Sequence, residues 1–193
     1  EDLVDVKDFN GATPLHHALM NSGALNGRFA EFLLCLNKLL ELEDNVDSPT
    51  NNGTTPLHLA ARSQLDYATR ILLKFGASVD LEDNEGNTPL HISASNSSTT
   101  VAHLLLSNGA QVDAKNDKGT TPLHCAALRN SRDIARLLVF GPVFDFRTQV
   151  VWGQSNQSVA KIDIADDSGA TALHLAAKSN SWDVAELLLA HGS

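Results

Sequence analysis

The sequence predicts an all-α repeat solenoid of stacked helix-turn-helix units with β-turn fingers. Three observations carry that reading. Thr-Pro-Leu-His recurs at Thr13–His16, Thr55–His58, Thr88–His91 and Thr121–His124, and returns as Thr-Ala-Leu-His at Thr171–His174. The copies begin 42, 33, 33 and 50 residues apart, which is a period of 33 interrupted by 9 and by 17 extra residues. Each copy also stands in the same frame. An apolar-Asp pair and then a glycine precede it (Val79-Asp80 and Gly86, for example), and a pair of small residues and a Leu-rich run follow it. Fixed-period self-similarity of this kind marks stacked units that cannot bury their apolar faces alone.

Each element has a local cause. The glycine two residues before the threonine (Gly11, Gly53, Gly86, Gly119, Gly169) suits a tight turn with a positive φ. Thr13, Thr55, Thr88, Thr121 and Thr171 are good helix N-caps, and the proline that follows four of them gives up an amide that would be unpaired there. His16, His58, His91, His124 and His174 then fall at the third helical position, where the ring reaches back as Glu does in a capping box. Ala60-Ala61, Ser93-Ala94, Ala126-Ala127 and Ala176-Ala177 allow two helices to approach closely, and the Leu-rich runs fill the layer between units.

This frame also decides the meaning of the composition. Five of the eight histidines are the repeated cap, so they are spread along a ladder and do not converge on one point. Aromatics are scarce at 5%, as a Leu/Ala core requires. The net charge, 14 − 23 = −9, has the wrong sign for a phosphate-backbone binder, and no apolar run approaches the roughly 20 residues that span a bilayer. Two cysteines, Cys35 and Cys125, cannot make a disulfide framework and are read as buried free thiols of an intracellular protein of cytoplasm or nucleus. No phosphate loop, C-x-x-C or H-E-x-x-H is present, which predicts no catalysis, no metal and no cofactor. Asp8, Asp83, Asp117, Asp166 and Asp167 fall at turn positions, where an aspartate binds nearby amides and not a cation.

Taken together, the five Thr-Pro/Ala-Leu-His anchors, the glycines, the small pairs and the Leu runs resemble the ankyrin repeat over essentially the whole chain. The resemblance implies repeats of about 8–49, 50–82, 83–115, 116–165 and 166–193 in a single domain. It departs from the family at the turn between the two helices, where Gln64, Ser97, Asn130 and Asn180 stand in place of the usual glycine. Asn tolerates left-handed backbone, so Gln64 and Ser97 are expected to be strained or to use another turn. Pro142 departs as well, since Ala77 and Ala110 follow a glycine at the matching place.

What the resemblance implies about function lies on the concave face, made of finger tips and the open side of the inner helices. The matching tip residues include Phe9, Asn10, Asn51, Asn52, Asn84, Glu85, Asp117, Lys118 and Asp167. The helix side gives Met20, Arg62, Leu128, Arg129 and Lys178. Acidic tips, basic helix ends and a few apolar anchors suit a protein partner with a basic or mixed-charge surface, and a chain that is monomeric as excised.

The two insertions are individual to this chain. The first adds nine residues near 21–28 (NSGALNG), a loop before a longer second helix over 28–42. In that helix Lys38 falls where other copies carry Leu or Ile. The second adds seventeen near 143–160. Its alternation from Phe144 to Trp152 predicts a strand, and Gly153–Gln157 a turn. Val159–Ile164 is the strand expected to pair back, completing a small β-hairpin with Phe144, Phe146 and Trp152 as partner contacts. The chain opens at a Leu3-Val4-Asp5 finger and stops just after an outer helix, without a polar capping repeat, so it reads as a piece of a longer protein. Inserted segments between regular repeats resemble regulatory ankyrin domains of transcription control. The function expected is a non-catalytic interaction module, a scaffold or regulatory subunit. The alternative is the regulatory arm of a larger enzyme, channel or transporter.

Overall fold

The computed structural model of the protein describes residues 6–21, 29–42, 45–141 and 159–192. Among them are ten helices in five consecutive pairs. The pairs are α1 (Pro14–Met20) with α2 (Phe29–Leu42), α3 (Pro56–Arg62) with α4 (Asp66–Lys74), and α5 (Pro89–Ser95) with α6 (Thr99–Ser107). They continue with α7 (Pro122–Leu128) and α8 (Arg132–Phe140), then α9 (Ala172–Lys178) and α10 (Trp182–Ala190). The odd helices pack in sequence into one layer and the even helices into a second. Strand geometry among the described residues is limited to one isolated bridge, Ala165 with Thr171.

The helices form where the caps place them. Each odd helix starts at its threonine with the capping box complete, the histidine ring bound to the cap and the threonine side chain to the third amide. Leu15, Leu57, Leu90 and Leu123 follow at the second helical position and are almost wholly buried. Leu72, Leu105, Leu138 and Leu188 are their counterparts in the outer layer, and Ala60, Ala61, Ala94, Ala126, Ala127 and Ala176 fill the contact between layers with no exposed area. One cluster of apolar side chains runs from Leu15 to Leu188, as stacking of units with open faces requires.

The turn between the paired helices takes the left-handed form in repeats two to five. Gln64, Ser97, Asn130 and Asn180 have φ of 55°, 57°, 52° and 55°. For Gln64 and Ser97 this conformation costs about 1–2 kcal/mol. The side chains offset it by reaching the next unit. Gln64 Nε2 donates to the Asn96 carbonyl at 2.9 Å, Ser97 and Ser131 join hydroxyls, and Asn130 Nδ2 donates to Asp183 Oδ2 at 2.7 Å. A glycine would relax the backbone and remove the cross-link.

Three expectations are corrected. Cys125 is buried, but Cys35 is exposed. On α2 the buried residues are Phe32, Leu36 and Leu40, spaced by four, and Cys35 lies about 100° round the helix from Leu36, off that arc. The same spacing explains Lys38. Leu40 takes the inward place, one residue later than the 33-residue period puts it, and Lys38 points to solvent, where it pairs with Glu41 at 3.2 Å. The segment Val159–Ile164 is not a hairpin strand. The Ala160 amide donates to the Leu138 carbonyl at 2.8 Å and Ile162-Asp163 is a turn. This is the bond that Ala77 makes to Leu72 and Ala110 to Leu105. Ala160 therefore resumes the repeat frame that is left at Gly141. The rest of the expected hairpin, with Phe144, Phe146 and Trp152, lies outside the described residues, as does the first insertion from 22 to 28.

Candidate functional site

The fingers are built on single side-chain acceptors. Asp8 Oδ1 accepts from the Asn10 and Ala12 amides at 2.8 Å, and Asp83 Oδ1 from Glu85 and Asn87 at 2.9 Å. Asn116 Oδ1 accepts from Lys118 and Thr120 at 3.0 Å, and Asp166 Oδ1 from Ser168 and Ala170 at 2.9 Å. Thr50 does the same more weakly for the Thr54 amide at 3.2 Å. These donors hold two carboxyls below their ordinary range, Asp8 chiefly through the Ala12 amide and Asp166 chiefly through the Ser168 hydroxyl. Asp117 and Asp167 do not share this role. They fall one residue later, at exposed tips.

Successive tips are joined through the backbone. The amides of Asn51, Asn84, Asp117 and Asp167 donate to the carbonyls of Asn10, Asn52, Glu85 and Lys118 at 2.8, 3.0, 3.1 and 3.1 Å. Asn51 and Asn84 add side-chain donations to Phe9 and Asn51 carbonyls at 2.9 and 3.0 Å. The close approach explains the glycine. A Cβ on Gly86 would lie 2.7 Å from the Asp117 nitrogen, at a φ of 74°. The ladder therefore fixes Phe9, Asn10, Asn51, Asn52, Asn84, Glu85, Asp117, Lys118 and Asp167 in one row, all exposed. The row changes character along its length. Its first two fingers show Phe9, Asn10, Asn51 and Asn52, and the later ones add Glu85, Asp117 and Asp167.

A second row comes from the inner layer. Met20, Arg62, Leu128 and Lys178 are the last residues of α1, α3, α7 and α9, and Arg129 caps α7. All five are exposed. A cation there also complements the carbonyl end of the helix, by about 0.3–1 kcal/mol. Phe144, Phe146 and Trp152 lie outside the described residues, so the structure does not join them to either row.

The capping histidines lie beneath this surface. In each, Nδ1 lies 3.1–3.3 Å from the threonine amide and 2.8–2.9 Å from its hydroxyl. Nδ1 accepts there, so the ring proton is on Nε2. That Nε2 donates across the seam to the next finger. His16 reaches the Thr54 carbonyl at 3.2 Å, His58 reaches Asn87 at 2.8 Å, His91 reaches Thr120 at 2.9 Å and His124 reaches Ala170 at 3.1 Å. Burial is the main reason all four resist protonation, and the accepted carbonyl partly offsets it. Rings with both nitrogens committed have no lone pair for a metal. Among the described residues no three His, Cys, Asp or Glu side chains group as ligands. His17 is exposed, with Nε2 3.0 Å from Asp8 Oδ2. Burial raises the Cys125 thiol, which removes it as a nucleophile at neutral pH.

The sequence reading gave the Val-Asp pairs no task, and the structure does. Asp47 accepts the Ser78 amide at 3.0 Å, Asp80 the Gln111 amide at 2.9 Å and Asp113 the Lys161 amide at 3.0 Å. Their recurrence at the period of the caps was the available signal.

Two helical layers, a laddered row of fingers and a row of helix ends define a repeat solenoid that presents side chains along one extended face. The family model for ankyrin repeats matches residues 24–116, 69–149 and 111–193. The chain belongs to the ankyrin-repeat family, whose members are in general protein–protein interaction modules. No curated protein matches the chain. Among the described residues no helix is long and apolar enough to cross a membrane.

Proposed function

We propose that the chain is a non-catalytic interaction module, a scaffold or regulatory subunit of the kind used in transcription control, acting inside the cell. Its partner is a protein whose surface carries basic side chains opposite Glu85, Asp117 and Asp167 and acidic ones opposite Arg62, Arg129 and Lys178. The observation that carries this reading is that all fourteen described candidate residues are exposed along two rows, while His16, His58, His91 and His124 are buried with both ring nitrogens hydrogen-bonded. Rows of like positions on successive units make the extended surfaces that solenoids use. Met20 and Leu128, about half exposed at 49% and 45%, provide apolar anchors between the charges.

The test is a pull-down comparing the intact chain with R62E/R129E/K178E, each first checked for helical content and melting. The triple variant is expected to lose the partner that the intact chain retains. Recovery of the same proteins by both would overturn the assignment of this face.

A further inference from the structure

The outer helices carry a charge pattern that the finger face does not explain. Arg70, His103 and Arg136 are 33 residues apart and take the same place on α4, α6 and α8, which pack side by side in one layer. Neighbouring helix axes lie about 8–10 Å apart, so the row is roughly 20 Å long. Lys74 lies one turn after Arg70, and Arg132 one turn before Arg136. All four Lys and Arg side chains are exposed. Among the described residues none of the four forms an ion pair. His103 approaches the Ser107 hydroxyl at 3.5 Å.

The opposing charge on these helices is Asp66 and Asp133. Asp66 is half-buried. Burial raises its carboxyl, against the opposing pull of Arg70 and the hydrogen bond to Thr100 on the next helix. Four cations face two carboxylates, so this patch is positive on a chain of net charge −9. It ends at α10, where Glu186 takes the place of Arg136. Both ends hold an exposed aromatic ring set by an edge contact. Tyr67 meets Phe29 with centroids 5.1 Å apart, and Phe140 meets His191 at 4.4 Å. Tyr67 remains 59% exposed and Phe140 42%. Arginine and aromatic side chains are the types enriched at the energetic centres of protein interfaces.

We propose that this outer face of α4, α6 and α8 is a second docking surface, for an acidic polypeptide segment with interspersed apolar side chains. Carboxylates of the segment pair with Arg70, Arg136 and their neighbours, and its apolar residues lie on Tyr67 and Phe140. About six residues of extended chain cover the row. A nucleic acid fits less well. Its unbroken run of phosphates meets the field of a chain at −9, whereas a short peptide lies within about one Debye length, roughly 8–10 Å, of the cations alone. The surface is separate from the finger face, so the chain can hold two partners at once.

The test is fluorescence anisotropy of a fluorescein-labelled Glu/Leu-rich peptide titrated with the intact chain, with R70E/R136E and with R62E/R129E/K178E. The intact chain and the triple variant are expected to bind alike, with affinity falling as salt rises. The R70E/R136E variant, verified as folded by circular dichroism, is expected to bind at least about tenfold more weakly. No binding by the intact chain, equal binding by R70E/R136E, or equal binding of a Lys/Leu-rich peptide or a single-stranded DNA would overturn the proposal. Loss in the triple variant alone would move the acidic peptide to the finger face.

Discussion

His91 and His174 stand at the same place in the motif and close the same capping box, yet they live in different surroundings. His91 is fully buried, with Nε2 on the Thr120 carbonyl of the next finger. His174 is exposed, and its Nε2 has no partner among the described residues. The same split runs through their neighbours. Leu106 is 6% exposed and Leu189, its counterpart in the last repeat, is 58%. Asp80 holds the Gln111 amide, whereas Asp163 holds no amide among the described residues. The helix is thus made by its own repeat, but the burial and the polar bonds across the seam are made by the next one.

The largest expected effect sharpens this contrast collectively. His16, His58, His91 and His124 have folded pKa values below the unfolded 6.5, so below about pH 6.5 the unfolded chain binds more protons than the folded one. Their stabilisation is complete above that pH and is lost as pH falls toward the folded values. The loss is up to about 1.4 kcal/mol per pH unit for each. Urea midpoints at pH 7.5 and 5.5 check this, and a midpoint independent of pH would break the account. Asp8 and Asp166, with lowered values, act in a separate window, where stability falls only as the pH approaches the carboxylate range.

A second comparison isolates the finger contact. Gly86→Ala combines a positive φ with a Cβ 2.7 Å from the Asp117 nitrogen, and is expected to destabilise by about 2–4 kcal/mol. Gly169→Ala has a φ of 80° and open space, which leaves about 1 kcal/mol of backbone strain. Equal losses in thermal melting would mean that close approach contributes nothing. The smallest effect belongs to the aspartates. Asp80→Ala orphans the Gln111 amide and is expected to cost about 1 kcal/mol. Asp163→Ala is expected to fall within about 0.5 kcal/mol. Denaturant titration of the two variants separates them.

The helices, their caps and the tight fingers were legible because each is decided within a few residues, as with Thr88, Pro89 and His91. What escaped depends on the neighbour or on direction around a helix. Periodicity aligned Lys38 with the Leu or Ile of other copies and left the register of α2 open, and Cys35 stood in an apolar run, but the inward arc of α2 is set by Phe32, Leu36 and Leu40. Val159–Ile164 was expected to pair back as a strand, since nothing local reveals that Ala160 answers a carbonyl twenty-two residues earlier. Gln64 and Ser97 looked like faults in the turn, because the hydrogen bonds that justify them reach into the next repeat. Of the candidate surface, the period aligns like positions of successive units, and the resemblance to ankyrin repeats singled out the two rows among them. The outer cations Arg70 and Arg136 share that period as well, at the matching place of α4 and α8.

The resumption of the frame at Ala160 has a practical consequence. Gly141 is buried, and the Ala160 and Lys161 amides are held by Leu138 and Asp113 with the same bonds used where nothing is inserted. The repeat frame on the two sides of the junction is therefore held by bonds between the anchors themselves. Lengthening a flexible connection adds only about 0.6 kcal/mol of closure entropy per doubling. The junction between Gly141 and Ala160 is thus the place where a foreign peptide, epitope or reporter tag is expected to be accepted while the seam reads through, an outcome that the melting of such a chimera checks.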